Sequence, residues 1–224
     1  MAHFYFIRHG ETEWNAAGRL CGRTDVPLSK VGRRQAELLS ARLKAIPVVA
    51  LYSSPASRAL ETAGIVGEAI GREVITDPRL VELSYGAWEG KTYEESKRAN
   101  PEIYRAWELD PATVAPPNGE SGAQLVERIT PLMAELTQKH LTGSIVVVCH
   151  RTLCRLLACH VMGIPLSEYR KRIPMENAAV NVFETKDGKW NVLGLNDTSH
   201  LTAPMSPATD SAVHSSTNDA GPAR

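Results

Sequence analysis

The chain has 224 residues, with 25 basic and 25 acidic side chains and a formal net charge of zero. This length suits one compact domain that can bury a sizeable core. The balanced charge argues against a general nucleic-acid-binding protein, which would carry a basic excess. No apolar run approaches the roughly 20 residues that span a bilayer, and the N-terminus lacks the pattern of a signal peptide. We therefore expect a cytoplasmic protein with four reduced cysteines and without nucleic-acid or membrane partners.

Patterns typical of strands and helices alternate along the chain. Short apolar runs predict strands at residues 4–7, 48–52, 74–75, 144–149, 179–185 and 189–195. Apolar residues at spacings of three and four predict helices that begin near Ser29 and Pro55, and further helices around 125–136 and 153–161. The triplet Lys186-Asp187-Gly188 is a hairpin signal. The alternation predicts an α/β fold, a three-layer α/β/α sandwich with a mostly parallel sheet and an antiparallel edge strand.

Two segments interrupt this alternation. The first, residues 86–120, is expected to form a small cap insertion, whose aromatic side chains either shape a substrate lid or form a satellite core. These aromatic residues are Trp88, Tyr93, Tyr104 and Trp107. The second, residues 201–224, is dominated by Ala, Ser, Thr and Pro and lacks a periodic apolar pattern. It predicts a disordered tail, which leaves residues 1–200 as the folded domain.

Imidazole and guanidinium groups follow the predicted strands at the points where those strands end. Arg8 and His9 come directly after the first strand, and His150 comes directly after strand 144–149. Arg58 lies in the first turn of the helix that follows another strand. Ligands of open α/β sheets bind beyond the carboxyl ends of the strands, and arginines and helix N-termini favour phosphate. These side chains are therefore candidates for one phosphate-binding site.

The motifs around these residues resemble those of the histidine phosphatase (phosphoglycerate-mutase-like) superfamily. The longest is FIRHGETEWN at residues 6–15. The others are GRLCG at 18–22, DVPLS at 25–29, SSP at 53–55, Arg58-Ala59, Thr62-Ala63, LVE at 80–82, YGAWEG at 85–90 and VVCH at 147–150 followed by Arg155. A single Arg-His-Gly would be weak evidence. The whole set, in the order found in that superfamily, is highly specific and implies a catalytic domain over residues 1–200.

The resemblance implies a covalent phosphoryl-transfer mechanism. His9 would be the nucleophile, which must be neutral and have a free ring nitrogen. Arg8, Arg58 and His150 would surround the phosphoryl group and stabilise its charge. Glu82 would protonate the leaving oxygen and then deprotonate the attacking water. Cations beside His9 should keep its pKa low. No metal ion or other cofactor is implied, because the arginines take its place.

The sequence departs from the superfamily pattern at two positions. Arg151 follows the second histidine, where Gly is usual, and Cys21 replaces the Gln that commonly precedes Gly22. Both positions are expected near the non-phosphate part of the substrate. Arg151 is a candidate contact to a substrate carboxylate or second phosphate. The expected substrate-binding residues are Asn15, Cys21, Gly22, Tyr85, Arg151 and Thr152.

Some assignments have alternatives. Asn15 could be a helix cap instead of a phosphate ligand. Glu11, Glu13 and Glu89 are rivals to Glu82 as the acid–base group.

The resemblance leaves three functions to weigh. The first is a metal-independent phosphatase acting on a small phosphorylated metabolite, with phosphoserine, a sugar phosphate and α-ribazole phosphate as candidates. The second is a cofactor-dependent phosphoglycerate mutase, and the third is a non-catalytic phosphate-binding relative. Mutases of the superfamily carry a longer insertion and Gly-Asn after the second histidine. The short insertion and Arg151-Thr152 therefore favour the phosphatase. The sequence leaves the oligomeric state open, and a homodimer is one possibility, since dimers are common in the superfamily.

Overall fold

The computed structural model describes residues 1–202, which contain one six-stranded sheet. Its strands are β1 (Ala2–Arg8), β2 (Val48–Ser53), β3 (Val74–Thr76), β4 (Gly143–Cys149), β5 (Val180–Lys186) and β6 (Lys189–Asp197). The strand order is β3-β2-β4-β1-β5-β6. The first four strands in this order are parallel, whereas β5 runs antiparallel to β1, and β6 antiparallel to β5. The mostly parallel sheet is confirmed, and both strands of the predicted hairpin form its antiparallel edge.

The helices follow the strands as the sequence pattern predicts. They are α1 (Glu13–Ala16), α2 (Lys30–Leu43), α3 (Ser57–Ile70), α4 (Tyr93–Ala99), α5 (Pro101–Leu109), α6 (Gly122–Lys139), α7 (Arg151–Met162) and α8 (Tyr169–Arg172). Serine side chains cap two of the long helices. Ser29 accepts a hydrogen bond from the Gly32 backbone at the start of α2, and Ser121 accepts one from Gln124 at the start of α6. Each cap satisfies a backbone N–H that has no partner within the helix.

Strand β4 lies at the centre of the molecule and is covered on both faces. Ile145 and Val147 belong to the core formed with α6 and α7, whereas Val146 and Val148 belong to the core formed with α2 and α3. Successive side chains of a strand point to opposite faces, so an uninterrupted β-branched run buries both sides of the sheet. This packing confirms the predicted three-layer arrangement.

The hairpin between β5 and β6 turns at Asp187 and Gly188. Both residues have positive φ angles, 51° and 74°, and Lys186 pairs with Lys189 across the turn. Two successive positive φ angles define a type I′ turn, whose twist matches that of the flanking strands. The Asp-Gly pair therefore sets the hairpin that the sequence predicted.

The segment 86–120 contains α4 and α5, and its aromatic residues divide between two roles. Trp88, Tyr104 and Trp107 are buried in the core that includes β4, with the two indole rings 5.3 Å apart. Tyr93 is only half-buried and lines a cleft beside the ends of β1 and β4. Three of the four aromatic residues therefore belong to the main core and not to a satellite core, and a role of Tyr93 in a substrate lid stays a prediction.

The end of the fold lies slightly beyond the predicted boundary. A 3₁₀ turn spans Ser199–Leu201, so Leu201 belongs to the folded part and not to a tail. The rest of the predicted tail, residues 203–224, lies outside the described residues.

Within residues 1–202 all four cysteines are buried free thiols, as predicted. None of the helices in that range is long and apolar enough to cross a membrane.

Candidate active site

The carboxyl ends of β1 and β4 bring two histidines together. The strands are parallel neighbours with Arg8 opposite Cys149, and the His9 backbone N–H donates to the Cys149 carbonyl oxygen at 3.0 Å. The imidazole rings of His9 and His150 are therefore close, with centroids 5.2 Å apart. Both side chains are buried. Residues 141 positions apart in the sequence thus meet at one edge of the sheet.

The hydrogen bonds of His9 define which of its nitrogens carries the proton. Nδ1 lies 2.6 Å from the Gly10 carbonyl oxygen, which only accepts, and Nε2 lies 3.2 Å from Nε of Arg58, which only donates. These partners assign the proton to Nδ1 and the lone pair to Nε2. Burial, together with the charges of Arg58 and Arg8, lowers the pKa of His9 well below its usual value. The ring is therefore neutral at pH 7, as a nucleophile requires.

The second imidazole is also held neutral. Nε2 of His150 lies 2.7 Å from the Ser54 hydroxyl, and Nδ1 is buried without a hydrogen-bond partner among the described residues. Burial lowers the pKa of His150 well below its usual value, and the charge of Arg58 adds to this effect. Because the Ser54 oxygen accepts a hydrogen bond from the Ala56 backbone, its proton is free to go to Nε2. That assignment leaves an N–H donor at Nδ1 with nothing to donate to.

Two guanidinium groups complete this side of the site. Arg58 is fully buried and donates to the carbonyl oxygens of Gly22 at 2.6 Å and Thr24 at 3.1 Å. Arg8 is buried and donates to the Met175 carbonyl oxygen at 2.7 Å. Neither forms an ion pair with a carboxylate in the described part of the chain. A buried cation without a counter-ion costs free energy, so these groups suit an anion.

Burial and the nearby charge of Arg151 together lower the pKa of Arg8 to about 9. A group with that pKa is still a cation at pH 7. The site therefore presents two positive charges next to a neutral imidazole lone pair.

Glu82 lies against the first turn of α7. Its Oε1 accepts a hydrogen bond from the Leu83 backbone at 2.8 Å, and its Oε2 accepts one from the Thr152 backbone at 2.9 Å. The carboxyl group is buried, and these two bonds fix its orientation. Because Thr152 is two residues after His150, they place Glu82 beside the second histidine. We call Arg8, His9, Arg58, Glu82 and His150 the strand-end cluster.

The rival carboxylates have other partners. Glu89 accepts backbone hydrogen bonds from Arg23 at 2.9 Å and Thr24 at 2.7 Å, and so supports the loop whose carbonyl oxygens hold Arg58. Glu11 accepts a hydrogen bond from the hydroxyl of the helix cap at the start of α2. Glu13 is exposed in α1. Of the four carboxylates, the structure places Glu82 in the cluster.

The expected substrate-binding residues lie around the cluster with different exposures. Gly22 has no room for a side chain, because an added Cβ would collide with the Glu89 carboxylate and the Leu83 carbonyl oxygen. The neighbouring Cys21 is buried, and burial raises the pKa of its thiol, so it is uncharged at pH 7. Asn15 acts in the capping box of α1 and also lines the cleft beside Arg8.

Tyr85 and Thr152 lie behind Glu82. The Tyr85 hydroxyl and the Thr152 hydroxyl are 3.0 Å apart, and both residues are buried. Burial raises the pKa of Tyr85 to about 12, with a contribution from Tyr93. Both hydroxyl groups are therefore neutral at pH 7, and the pair supports the backbone that holds the Glu82 carboxyl group.

A cleft of about 260 Å³ opens from Arg8 towards the segment 86–120. It is lined by four arginines and by the half-buried Tyr93. The arginines are Arg8, Arg19, Arg151 and Arg155. We call this the cap-side cleft. A second cleft of about 260 Å³ is lined by Arg58, Glu82 and Gly22.

Several site residues were not singled out from the sequence. Ser54 belongs to the SSP motif, but its hydrogen bond to His150 depends on the pairing of β2 with β4. Asn177 donates to the side-chain oxygen of Asn15 at 3.1 Å and also lines the cap-side cleft. The sequence marks Tyr93 only as an aromatic residue of the segment 86–120, and not as a residue of the cleft. Among residues 1–202, no three His, Cys, Asp or Glu side chains come together in a way that could hold a metal ion.

Comparisons with known proteins agree with this geometry. The model of the histidine phosphatase superfamily (branch 1) matches residues 4–198. Phosphoserine phosphatase 1 of Hydrogenobacter thermophilus is 34% identical over 201 residues, covering 90% of this chain and 95% of that protein. Phosphoglycerate mutase-like protein 4 of Arabidopsis thaliana is 38% identical over 204 residues, covering 89% of this chain and 87% of that protein. The structure of Bacillus stearothermophilus YhfR is similar with a TM-score of 0.85 and 31% identity, covering 90% of this chain and 100% of that one.

These similarities extend over nearly the whole described fold and include both strand ends that carry the histidines. The resemblance and the α/β fold expected from the sequence are therefore confirmed. The phosphatase among the relatives supports the expected class of enzyme, a phosphoric monoester hydrolase. The chain belongs to branch 1 of the histidine phosphatase superfamily.

Proposed function

We propose that this phosphoric monoester hydrolase releases phosphate from a small phosphorylated metabolite through a phosphohistidine at His9, without a metal ion or other cofactor. The observation that carries the proposal is the Nε2 lone pair of His9, which lies beside the buried guanidinium of Arg58. A neutral nucleophile next to unpaired cations is the arrangement that attack on a phosphate dianion requires.

The first step forms the phosphoenzyme. The Nε–H of Arg58 moves from Nε2 of His9 to a phosphoryl oxygen, which frees the Nε2 lone pair. Nε2 then attacks phosphorus, the Nε2–P bond forms, and the P–O ester bond breaks. Arg8 and Arg58 stabilise the negative charge on the phosphoryl oxygens, and the unpartnered Nδ1–H of His150 adds a further donor. Glu82 gives its proton to the leaving oxygen, so that an alcohol departs. The Gly10 carbonyl oxygen, which holds Nδ1–H of His9, stabilises the imidazolium that results.

The second step returns the enzyme to its starting state. Glu82, now a carboxylate, takes a proton from a water molecule that attacks phosphorus from the side the alcohol has left. The Nε2–P bond breaks, orthophosphate leaves, and His9 regains its lone pair. Asn15, Cys21, Gly22, Tyr85, Arg151 and Thr152 surround the rest of the substrate or support the residues that do. The candidate substrates are phosphoserine, sugar phosphates and α-ribazole phosphate.

A phosphoglycerate mutase is the second candidate, and one observation favours it: a relative with 38% identity is named mutase-like. A mutase returns the phosphoryl group to its product and must keep water from the phosphoenzyme. The short segment 86–120 and Arg151 after the second histidine favour the phosphatase.

A substrate panel separates these functions. Phosphate release from the candidate esters is measured with and without EDTA, and 3-phosphoglycerate is tested for conversion to 2-phosphoglycerate. We expect phosphate release that EDTA leaves unchanged. Loss of all activity in EDTA would contradict the metal-free mechanism, and isomerisation without phosphate release would identify a mutase.

A further inference from the structure

The cap-side cleft contains more positive charge than one phosphoryl group needs. Arg8 belongs to the strand-end cluster, but Arg151 and Arg155 lie on α7 beyond it. The carboxylate that lines the same cleft, Glu176, belongs to an exposed residue. The cleft is therefore lined by positive charges that phosphoryl transfer at His9 does not require.

The two arginines of α7 lie close enough for their positive charges to repel each other. Arg151 and Arg155 are four residues apart, which puts them on the same face of the helix, where like charges destabilise it. Burial lowers the pKa of Arg155, and the charge of Arg151 lowers it further. Neither arginine forms an ion pair with a carboxylate within the described range. Among residues 1–202 the fold thus holds these cations together without a direct ion pair, although the charge of Glu82 acts on Arg151.

The donors of this pair are only partly used. Arg151 donates one hydrogen bond, to the Tyr93 hydroxyl at 3.0 Å. Nε of Arg155 is buried and has no partner among residues 1–202. A buried guanidinium N–H without an acceptor costs free energy unless a ligand supplies the acceptor. Carboxylates and phosphates match this donor geometry best, because they accept two parallel N–H bonds.

The α7 pair lies in the same cleft as Arg8, which belongs to the strand-end cluster. Arg8, Arg151 and Arg155 line one cleft of about 260 Å³, and Arg8 also borders His9. One small molecule can therefore place its phosphoryl group at His9 and another anionic group at the α7 pair.

We propose that Arg151 and Arg155 form a second anion subsite, so that the preferred substrates are small phosphomonoesters that carry a carboxylate or a second phosphate. The inference rests on the proposed function and narrows its substrate class. It favours phosphoserine over α-ribazole phosphate and over sugars with a single phosphate. Tyr93 is a positioning residue, since its hydroxyl fixes the guanidinium of Arg151.

Matched pairs of esters test the subsite. O-Phosphoserine and O-phosphoethanolamine differ only in the carboxylate, and fructose 1,6-bisphosphate and fructose 1-phosphate differ only in the second phosphate. For each pair the ratio of kcat/KM is measured in the wild type and in the Arg151→Gln, Arg155→Gln and Arg151→Lys variants. The exposed Arg105 provides a matched control, Arg105→Gln.

We expect the wild type to prefer the more anionic member of at least one pair by about tenfold, the factor that a single well-placed charge-assisted hydrogen bond supplies. Either Gln variant should reduce this ratio about fivefold or more, Arg151→Lys should reduce it less, and Arg105→Gln should leave it unchanged. The pair that responds identifies the anion as a carboxylate or a phosphate. Circular dichroism checks that each variant is folded, and Arg151→Lys serves if the Gln variants are not.

The outcomes of these experiments distinguish a failure of the proposed anion subsite from a failure of the proposed phosphatase activity. Phosphate release with ratios near one, or ratios that the α7 variants leave unchanged, overturns the subsite and leaves the phosphatase intact. Absence of phosphate release from every ester overturns the proposed function instead. In that case the affinities of phosphoserine and phosphoethanolamine are measured by calorimetry. Tighter binding of phosphoserine supports the subsite, and equal affinities overturn it.

Discussion

The strand-end cluster and the cap-side cleft both present arginines, but they hold them differently. In the cluster, Arg8 and Arg58 are buried and donate to backbone carbonyl oxygens. In the cleft, Arg151 and Arg155 are half-buried, and a phenol from another segment supplies the one side-chain acceptor. In the proposed mechanism the cations that act on the phosphoryl group are thus held by backbone atoms, while the cations that select the substrate are held by a side chain that substitution can readily change.

Replacement of Glu82 by Gln gives the largest effect we expect. It removes the proton donor and acceptor while keeping the shape of the side chain, and it gives up one of the two backbone hydrogen bonds, because only one amide atom of Gln can accept. For alkyl phosphates kcat/KM, which reports transfer of the phosphoryl group to His9, should fall about 10²- to 10⁴-fold. For p-nitrophenyl phosphate the fall in kcat/KM should be much smaller, because its leaving group departs without a proton. Steady-state kinetics on both esters check this, and an equal loss of kcat/KM on the two would contradict Glu82 as the proton donor to the leaving group.

Replacement of Arg58 by Gln should have the next largest effect on activity. It removes a buried cation and the N–H that faces Nε2 of His9. We expect kcat to fall about 10²- to 10³-fold. The charge of Arg58 helps to lower the pKa of His9, so that pKa should rise in the variant. NMR titration of the ring checks this shift, and the exposed Arg105 again supplies the control. An unchanged pKa would mean that the charge of Arg58 does not act on His9.

Stability should depend on pH because both cluster histidines are neutral when folded. Their folded pKa values are lowered below the unfolded value, so below about pH 6.5 the unfolded chain binds protons that the native state does not. Each histidine then removes about 1.4 kcal/mol of unfolding free energy per pH unit as the pH falls, and its contribution is complete above that pH. Urea unfolding between pH 7 and pH 5 measures the slope. His150→Gln should reduce the slope by about 1.4 kcal/mol per unit, and an unchanged slope would contradict the neutral assignment.

Replacement of Tyr93 by Phe should be the mildest change. It deletes the hydroxyl that accepts from Arg151 and keeps the ring, which is stacked 6.4 Å from Trp107. A hydrogen bond of this kind contributes about 0.5–1.5 kcal/mol, which corresponds to roughly 2- to 10-fold in affinity. We expect KM to rise by that factor for esters with a second anionic group, while kcat changes little. A fall in kcat with constant KM would place Tyr93 in the chemistry instead.

The same contrast explains what the sequence could and could not predict. Arg8, His9 and His150 could be placed together because each follows a strand of a parallel sheet, and such strands end at one edge. Glu82 was identified through the resemblance alone, since no strand or helix period points to it. The hydrogen bond between Tyr93 and Arg151 joins residues 58 positions apart on separate helices. It depends on how the cap packs against α7, which a local pattern does not encode.

The central claim is that residue 9 carries the phosphoryl group during the reaction. The direct test is to mix the enzyme with ³²P-labelled substrate, quench within milliseconds at alkaline pH, and locate the label by peptide mass spectrometry. The account predicts phosphate on Nε2 of His9, absent from His9→Ala and retained in His160→Ala, a variant of an exposed histidine. Turnover without any label on the protein, or label on His150 instead, would contradict it.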